Sequence, residues 1–187
     1  MNDILERLLE GNRRFSLGQA LRPAADVARR QQIAGAQQPF AMILSCSDSR
    51  VPPEIVFDCG LGDLFVIRTA GHTIDKAVTE SVLFGIQALH IPLVVVLGHA
   101  RCGAVSLAIQ KKQAGMSVDE ASWVVEQIAP AIDRCQNAAD VLSCAIKTHV
   151  NMTVVQLKDL ILHVAESVPV LGAYYDLDTG VVELVST

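Results

Sequence analysis

Phe40-Ala-Met-Ile-Leu-Ser-Cys-Ser-Asp-Ser-Arg50 is an apolar run that stops abruptly in a cluster of polar, chemically capable residues. The run Phe40–Ser45 follows Pro39 and is short, continuous and apolar, which suits a strand buried on both faces; a strand with one wet face would alternate. Two further runs follow the same pattern: Leu64–Ile67 is introduced by Gly62-Asp63, and Leu93–Leu97 begins after Pro92 and stops at Gly98. Between them, Val78–Leu89 has helical spacing. Alternation of strand, helix and strand predicts an α/β fold, a single domain with a mostly parallel central β-sheet flanked by helices.

Working outward, Ile4, Leu5, Leu8, Leu9 and Phe15 fall at helical spacing and Val27–Ile33 forms a second helical stretch, so residues 1–35 are expected to form an N-terminal helical arm. Toward the C-terminus the chain reads as helix over Ala104–Gln113, Val118–Cys135 and Ala138–Glu166, punctuated by Gly115 and Asn137. Val170–Asp176 and Val181–Val185 flank the turn sequence Leu177-Asp-Thr-Gly180, which predicts a C-terminal edge strand or hairpin. No repeat or linker composition divides the chain, so one domain is expected over 1–187.

The composition narrows the function. Fifteen Lys and Arg against 20 Asp and Glu leave a net charge of −5, and 51% hydrophobic with 19% charged residues is enough to bury a core. Without a basic block there is no electrostatic footprint for nucleic acid or for an anionic membrane surface, and neither partner is expected. No apolar run approaches the roughly 20 residues of a membrane span. The start of the chain is amphipathic and carries acids, unlike a secretion signal. Five cysteines are an odd number spread through a chain that folds without staples, which argues against a disulfide framework and for a reducing, cytoplasmic compartment. Cys59, Cys135 and Cys144 are read as small buried hydrophobes, and His90, His149 and His163 as structural, because none has a ligand-type partner at useful spacing.

Cys46-Ser-Asp-Ser-Arg50 and His99-Ala-Arg-Cys102 each follow a buried strand directly. Ligands collect beyond the carboxyl ends of parallel strands, so the two segments are expected to converge. Two thiolates and one imidazole then suit Zn2+ and leave one coordination position for water, substrate or another side chain. A lone H-x-x-C is common; its neighbours make this one specific.

Cys46-Ser-Asp-Ser-Arg-Val51, Gly62-Asp-Leu-Phe-Val-Ile-Arg68 followed by Ala70-Gly71, and Leu97-Gly-His-Ala-Arg-Cys-Gly-Ala-Val105 together resemble the motif set of the β-class carbonic anhydrases. Gly172-Ala-Tyr-Tyr-Asp-Leu-Asp-Thr-Gly180 is similar to that family's C-terminal strand, so the resemblance runs from about Gln37 to Leu184. It implies a carbonic anhydrase, a lyase that hydrates CO2 to bicarbonate and a proton by zinc-bound hydroxide, with Cys46, His99 and Cys102 as zinc ligands. It further implies a homodimer or homotetramer built partly through the N-terminal helices. Asp48 is implied to work with Arg50: in an open site it accepts a hydrogen bond from the metal-bound water, and in a closed state it is itself the fourth ligand. Phe65, Ala70 and Phe84 are implied to line the CO2 pocket, with Gln37 (from the partner subunit) and the backbone N–H of Gly103 as donors to substrate.

Two thiolates already cancel the charge on zinc, so bound water should be acidified less than by three imidazoles, and activity is expected to rise into the alkaline range. Three departures from the family stand out: His72 where Asn commonly follows Ala-Gly, Leu83 where a Glu usually precedes the aromatic of the middle helix, and a shorter Asn151–Leu171 segment. His72 is open to two readings, a proton relay or a structural histidine. Rival functions are hydrolysis of carbonyl sulfide or carbon disulfide on the same scaffold, and a non-catalytic zinc-binding assembly subunit. Gln37, Asp48 and Arg50 speak against the latter, since a structural site needs none of them.

Overall fold

The computed structural model describes residues 2–21, 26–115, 122–162, 164 and 168–185. Five strands, β1 (Ala41–Cys46), β2 (Leu64–Thr69), β3 (Val94–His99), β4 (Val170–Tyr175) and β5 (Val182–Val185), lie in the order β2-β1-β3-β4-β5. β1 is parallel to β2 and β3, β3 is parallel to β4, and only the final β4–β5 pair is antiparallel. This is the expected mostly parallel α/β sheet ending in a hairpin.

Strand order explains which apolar runs are fully enclosed. All six residues of β1 and of β3 are buried, because both strands are central and covered on both faces. β2, expected to be buried on both sides, is only half-buried because it forms the sheet edge. Met42 and Leu44 point into one cluster with Val94, Val96 and the helices α4 (Lys76–Gln87) and α7 (Val141–Ile161). Ala41 and Ile43 point the other way, into a cluster with Leu8, Val56 and Phe57. This alternation gives the sheet two cores from one sequence run.

Helix starts follow capping chemistry. Asp75 accepts from the Val78 N–H at 2.8 Å and Asp140 from the Ser143 N–H at 3.0 Å, so α4 begins at Lys76, slightly before the periodicity suggested, and α7 at Val141, slightly after. α5 (Gly103–Gln113) and α6 (Trp123–Asp133) match the helical readings there; the expected helix segments at 118–121, 163 and 165–166 lie outside the described residues. The four-residue α3 (Pro53–Val56) and a single 3-10 turn at Ala70–His72 carry no periodicity long enough to read from sequence.

Of the N-terminal arm, α1 (Asn2–Ser16) is fastened to its own sheet, whereas α2 (Val27–Ile33) buries no residue. Buried Asn12 donates through Nδ2 to the Val56 and Gly180 carbonyls (3.1 and 2.9 Å) and accepts the Val182 N–H at 2.8 Å. One side chain thus satisfies three backbone groups, one in α3 and two where the β4–β5 turn enters β5. Asn12→Ala is expected to lower the unfolding free energy by roughly 2 kcal/mol or more in a urea titration, because these groups are left without partners. A change within error would mean that water replaces the amide.

Cys135 and Cys144, expected as separate buried thiols, are joined in a disulfide between the end of α6 and the start of α7. The short connection between the two helices brings their Cα atoms to 5.8 Å, within bridging range, which composition and spacing did not reveal. Cys46, Cys59 and Cys102 are free. Among the described residues no helix is long and apolar enough to cross a membrane.

Candidate metal centre

The sheet delivers its chemistry at one end. Cys46 is the last residue of β1 and His99 the last of β3, the neighbouring parallel strand, so their side chains emerge together. Cys102 arrives from the loop after β3 as the residue preceding α5, helped by Arg101 adopting φ 52°. All three are buried: Cys46 is 4% exposed, Cys102 1% and His99 0%. Helices α5, α6 and the start of α7 roof this end through Val105, Ile128 and Ile146.

The donor atoms of Cys46, His99 and Cys102 lie within 4.8 Å of one another, the convergence that their positions in sequence led us to expect. Cys46 Sγ and Cys102 Sγ are 3.9 Å apart. Two sulfurs bound to one tetrahedral zinc at about 2.3 Å sit roughly 3.8 Å apart, so the pair is already at ligand spacing. His99 Nδ1 is 2.9 Å from the Ala100 carbonyl, an acceptor only, so Nδ1 carries the proton. Its Nε2 therefore holds a lone pair, and it has no partner among the described residues. A buried imidazole nitrogen left in this condition beside two thiols fits a metal ligand oriented by its second nitrogen.

The protein also prepares the sulfurs for a cation. The Cys46 thiol is pulled down to about 4, first by its hydrogen bond with Cys102, then by His99 and by the backbone N–H groups of Gly71 and Asp48; burial opposes this. The Gly71 N–H lies 3.3 Å from Cys46 Sγ. Gly71 has φ 65°, a region that favours glycine, and an added Cβ would come within 3.0 Å of Ile128. The same hydrogen bond and burial push the Cys102 thiol up, although the N–H groups of Val105 and Ala104 at the start of α5 favour its thiolate. The pair therefore favours a thiolate on Cys46, a donor that suits a divalent cation.

Asp48 lies beside this group but is not part of it. Its Oδ1 accepts from Arg50 Nε at 2.9 Å and from the Arg50 N–H at 2.9 Å, and its Oδ2 accepts from Arg50 Nη2 at 2.7 Å. This bidentate pair holds the Asp48 carboxyl well below the usual carboxylate range. Arg50 also reaches the Arg101 carbonyl at 3.4 Å, linking the loops that follow β1 and β3. Arg101 itself forms a two-pronged pair with Asp178, at 2.6 and 2.8 Å, in the β4–β5 turn.

Phe65 on β2 and Phe84 on α4 face one another with ring centroids 6.3 Å apart, and Phe84 is 50% exposed. Ala70 and Gly103 are exposed, the latter as the first residue of α5, and Gln37 is exposed between α2 and β1. His72 is enclosed, and burial holds its pKa well below the ordinary value, so it is neutral near pH 7 and takes the structural reading. Two residues had no role assigned from sequence. Arg68 donates to the Cys46 carbonyl at 3.0 Å and to the Asp48 carbonyl at 2.6 Å, bracing the backbone between Cys46 and Asp48. His149, set aside as structural, contacts Gly71 behind Cys46. Arg68 was legible as a lone charge at the end of an apolar strand; nothing in the local sequence marks His149.

A family model described as carbonic anhydrase matches residues 41–182. A carbonic anhydrase of Mycolicibacterium smegmatis is 40% identical over 186 residues, covering 95% of this chain and 89% of that protein. Carbonic anhydrase 2 of Mycobacterium tuberculosis is 41% identical over 182 residues, covering 92% and 87%. In three dimensions the chain shares its fold with a tetrameric β-carbonic anhydrase of the ascomycete Sordaria macrospora, with a TM-score of 0.73 at 17% identity, over 99% of this chain and 98% of that one. The match runs from the first residue of β1 into β5 and takes in Cys46, His99 and Cys102, so the chain belongs to the β-class carbonic anhydrases.

Proposed function

We propose that this protein interconverts CO2 and bicarbonate, with Zn2+ held by Cys46, His99 and Cys102. The observation that carries the reading is the buried Cys-His-Cys set beside an acid clamped by arginine. When bound, zinc acts as a Lewis acid that makes water available as a nucleophile near neutral pH. The two thiolates offset the charge of the ion, so the nucleophile is generated at higher pH than with three imidazoles.

Asp48 stays ionised throughout the neutral range because Arg50 holds it so, and it acts as a hydrogen-bond acceptor only. Positioned by Arg50, it would accept a hydrogen bond from the attacking oxygen and so orient a lone pair of that oxygen toward the carbon. The pairing of both Asp48 carboxylate oxygens with Arg50 supports the open arrangement as the reading; as a fourth ligand Asp48 would have to leave that pair. Gly103 offers a backbone N–H at the start of α5, where no intrahelical acceptor exists, to the substrate oxygen that gains negative charge. Phe65, Phe84 and Ala70 supply apolar walls for CO2. The products are bicarbonate and a proton that leaves to solvent.

A homodimer or homotetramer is part of the same reading. Phe84, Leu17, Leu21 and Val27 are exposed apolar residues that a second copy would cover, with the 1–35 arm contributing and Gln37 reaching the partner's substrate. Residues 1–187 then act as one domain per subunit. No feature of the described residues favours carbonyl sulfide or carbon disulfide hydrolysis, or a non-catalytic role.

Stopped-flow CO2 hydration between about pH 6.5 and 9, with zinc measured on the same sample, tests the proposal. Turnover is expected to scale with bound zinc and to climb toward the alkaline end. About one zinc per chain with no turnover at any pH would overturn it.

A further inference from the structure

His149 has no place in the mechanism above, yet it is the group from α7 that grips the peptide behind Cys46. Its ring is buried, with Nε2 3.0 Å from the Gly71 carbonyl. A carbonyl only accepts, so Nε2 carries the proton, and Nδ1 has no partner among the described residues. The N–H of the same glycine faces Cys46 Sγ at 3.3 Å.

The turn that carries this N–H has unusual backbone. Gly71 and His72 both have positive φ, at 65° and 48°, and residues 70–72 belong to no strand. Thr69 Oγ1 donates to the Thr73 carbonyl at 2.8 Å, and Thr73 Oγ1 to the Ala70 carbonyl at 3.1 Å, closing the two ends of the turn. Its middle is gripped from α7: His149 holds the Gly71 carbonyl, and the His72 ring packs on the His149 ring with centroids 4.6 Å apart. α7 comes this close because Gly98, next to His99 in β3, has no Cβ; one placed there would sit 2.5 Å from Val150.

We propose that His149 is a positioning residue for the metal: its Nε2–H fixes the Gly71 peptide so that the Gly71 N–H stays on Cys46 Sγ, and this sets how firmly Cys46 holds the ion. The inference rests on the reading of Cys46, His99 and Cys102 as ligands. A hydrogen bond to sulfur stabilises thiolate against thiol and draws off some of its charge. When the peptide is free to turn away, Cys46 Sγ becomes more electron-rich and loses the contact that holds it at ligand spacing from Cys102 Sγ. Outer partners of this kind typically change metal affinity by about 10- to 100-fold.

The test compares wild type with His149→Gln, whose amide reaches the Nε2 position, and His149→Phe, which fills the ring volume without a donor. Zinc affinity is measured by competition with a chelator, and the sulfur-to-metal charge-transfer band is recorded with Co2+ in place of zinc. His149→Phe is expected to bind zinc about tenfold or more weakly and to move the cobalt band to longer wavelength, with His149→Gln restoring both. A folded His149→Phe protein with wild-type affinity and spectrum would overturn the proposal. If that variant does not fold, nitrogen-15 NMR of the wild-type imidazoles decides: the proposal requires His149 as the Nε2–H tautomer, and a proton on Nδ1 alone would exclude it. None of these readouts uses CO2, so a wild-type enzyme without turnover would count against the proposed activity and not against this role.

Discussion

Cys46→Ser is expected to lose both metal and turnover: zinc falls from about one per chain to near none after dialysis against a mild chelator, and CO2 hydration falls to the uncatalysed rate. The argument is one of charge and count. Cys46 sits at the end of the central strand β1 with its thiol pulled down to about 4, so it is an anion when an ion arrives. A serine hydroxyl in the same place is neutral and less polarisable, and two ligands remain of three. The Gly71 N–H loses its sulfur acceptor as well. The variant should still fold, because the enclosed faces of β1 on which the two cores rest are unchanged. Metal analysis and circular dichroism on one preparation check this. Full zinc occupancy in a folded Cys46→Ser protein would show that the ligand assignment is wrong.

Asp48→Asn separates binding from chemistry. Asp48 is not in the Cys46, His99 and Cys102 group that could hold a metal ion, so zinc content is expected to stay near wild type. Turnover is expected to fall by about 10²- to 10³-fold, the usual scale for losing one positioned hydrogen-bonding group that acts in the transition state. The amide keeps the shape of the carboxylate but offers a donor where an acceptor is needed, and it cannot form the charged bidentate pair with Arg50.

The pH behaviour gives a second check. Arg50 depresses the Asp48 pKa in the folded protein, so ionised Asp48 contributes stability that is present above its unfolded value and is lost as the pH falls through the folded one, on the acid side of about pH 4. Its charge does not change between pH 6 and 9. The residual activity of Asp48→Asn should therefore climb with pH along the wild-type curve at a lower height. A flattened profile would mean that Asp48 is the group that titrates during turnover, and loss of zinc would mean that it is a ligand.

Particular residues show how much of this was open to reading in advance. The runs that lead into Cys46 and His99 are apolar at consecutive positions, Ala41–Leu44 and Leu93–Leu97, and only a strand covered on both faces tolerates that, so β1, β3 and the parallel sheet were legible. Where strands end, polar residues meet solvent and ligand, so Cys46, Asp48, Arg50, His99 and Cys102 were legible as a group. β2 was misjudged because sequence records the apolarity of a strand and not its place in the order; an edge strand and a central one can read alike. The Cys135–Cys144 disulfide was missed because a thiol has no partner until two helices are laid side by side.

His149 is the clearest divide. Its neighbours on α7 give it no reason to differ from any other histidine on a half-apolar helix, and its contact with Gly71 spans 78 positions of chain. The sequence by itself determined what depends on local periodicity and on residue chemistry at strand ends: the sheet, the end at which Cys46, His99 and Cys102 gather, and those three as the candidate ligands. The tertiary structure alone decided which groups stand behind them, the Arg68 brace, the proton on His99 Nδ1 and the grip of His149 on Gly71. Hydrogen bonds act over about 3 Å, and only folding brings atoms so distant in the chain within that range.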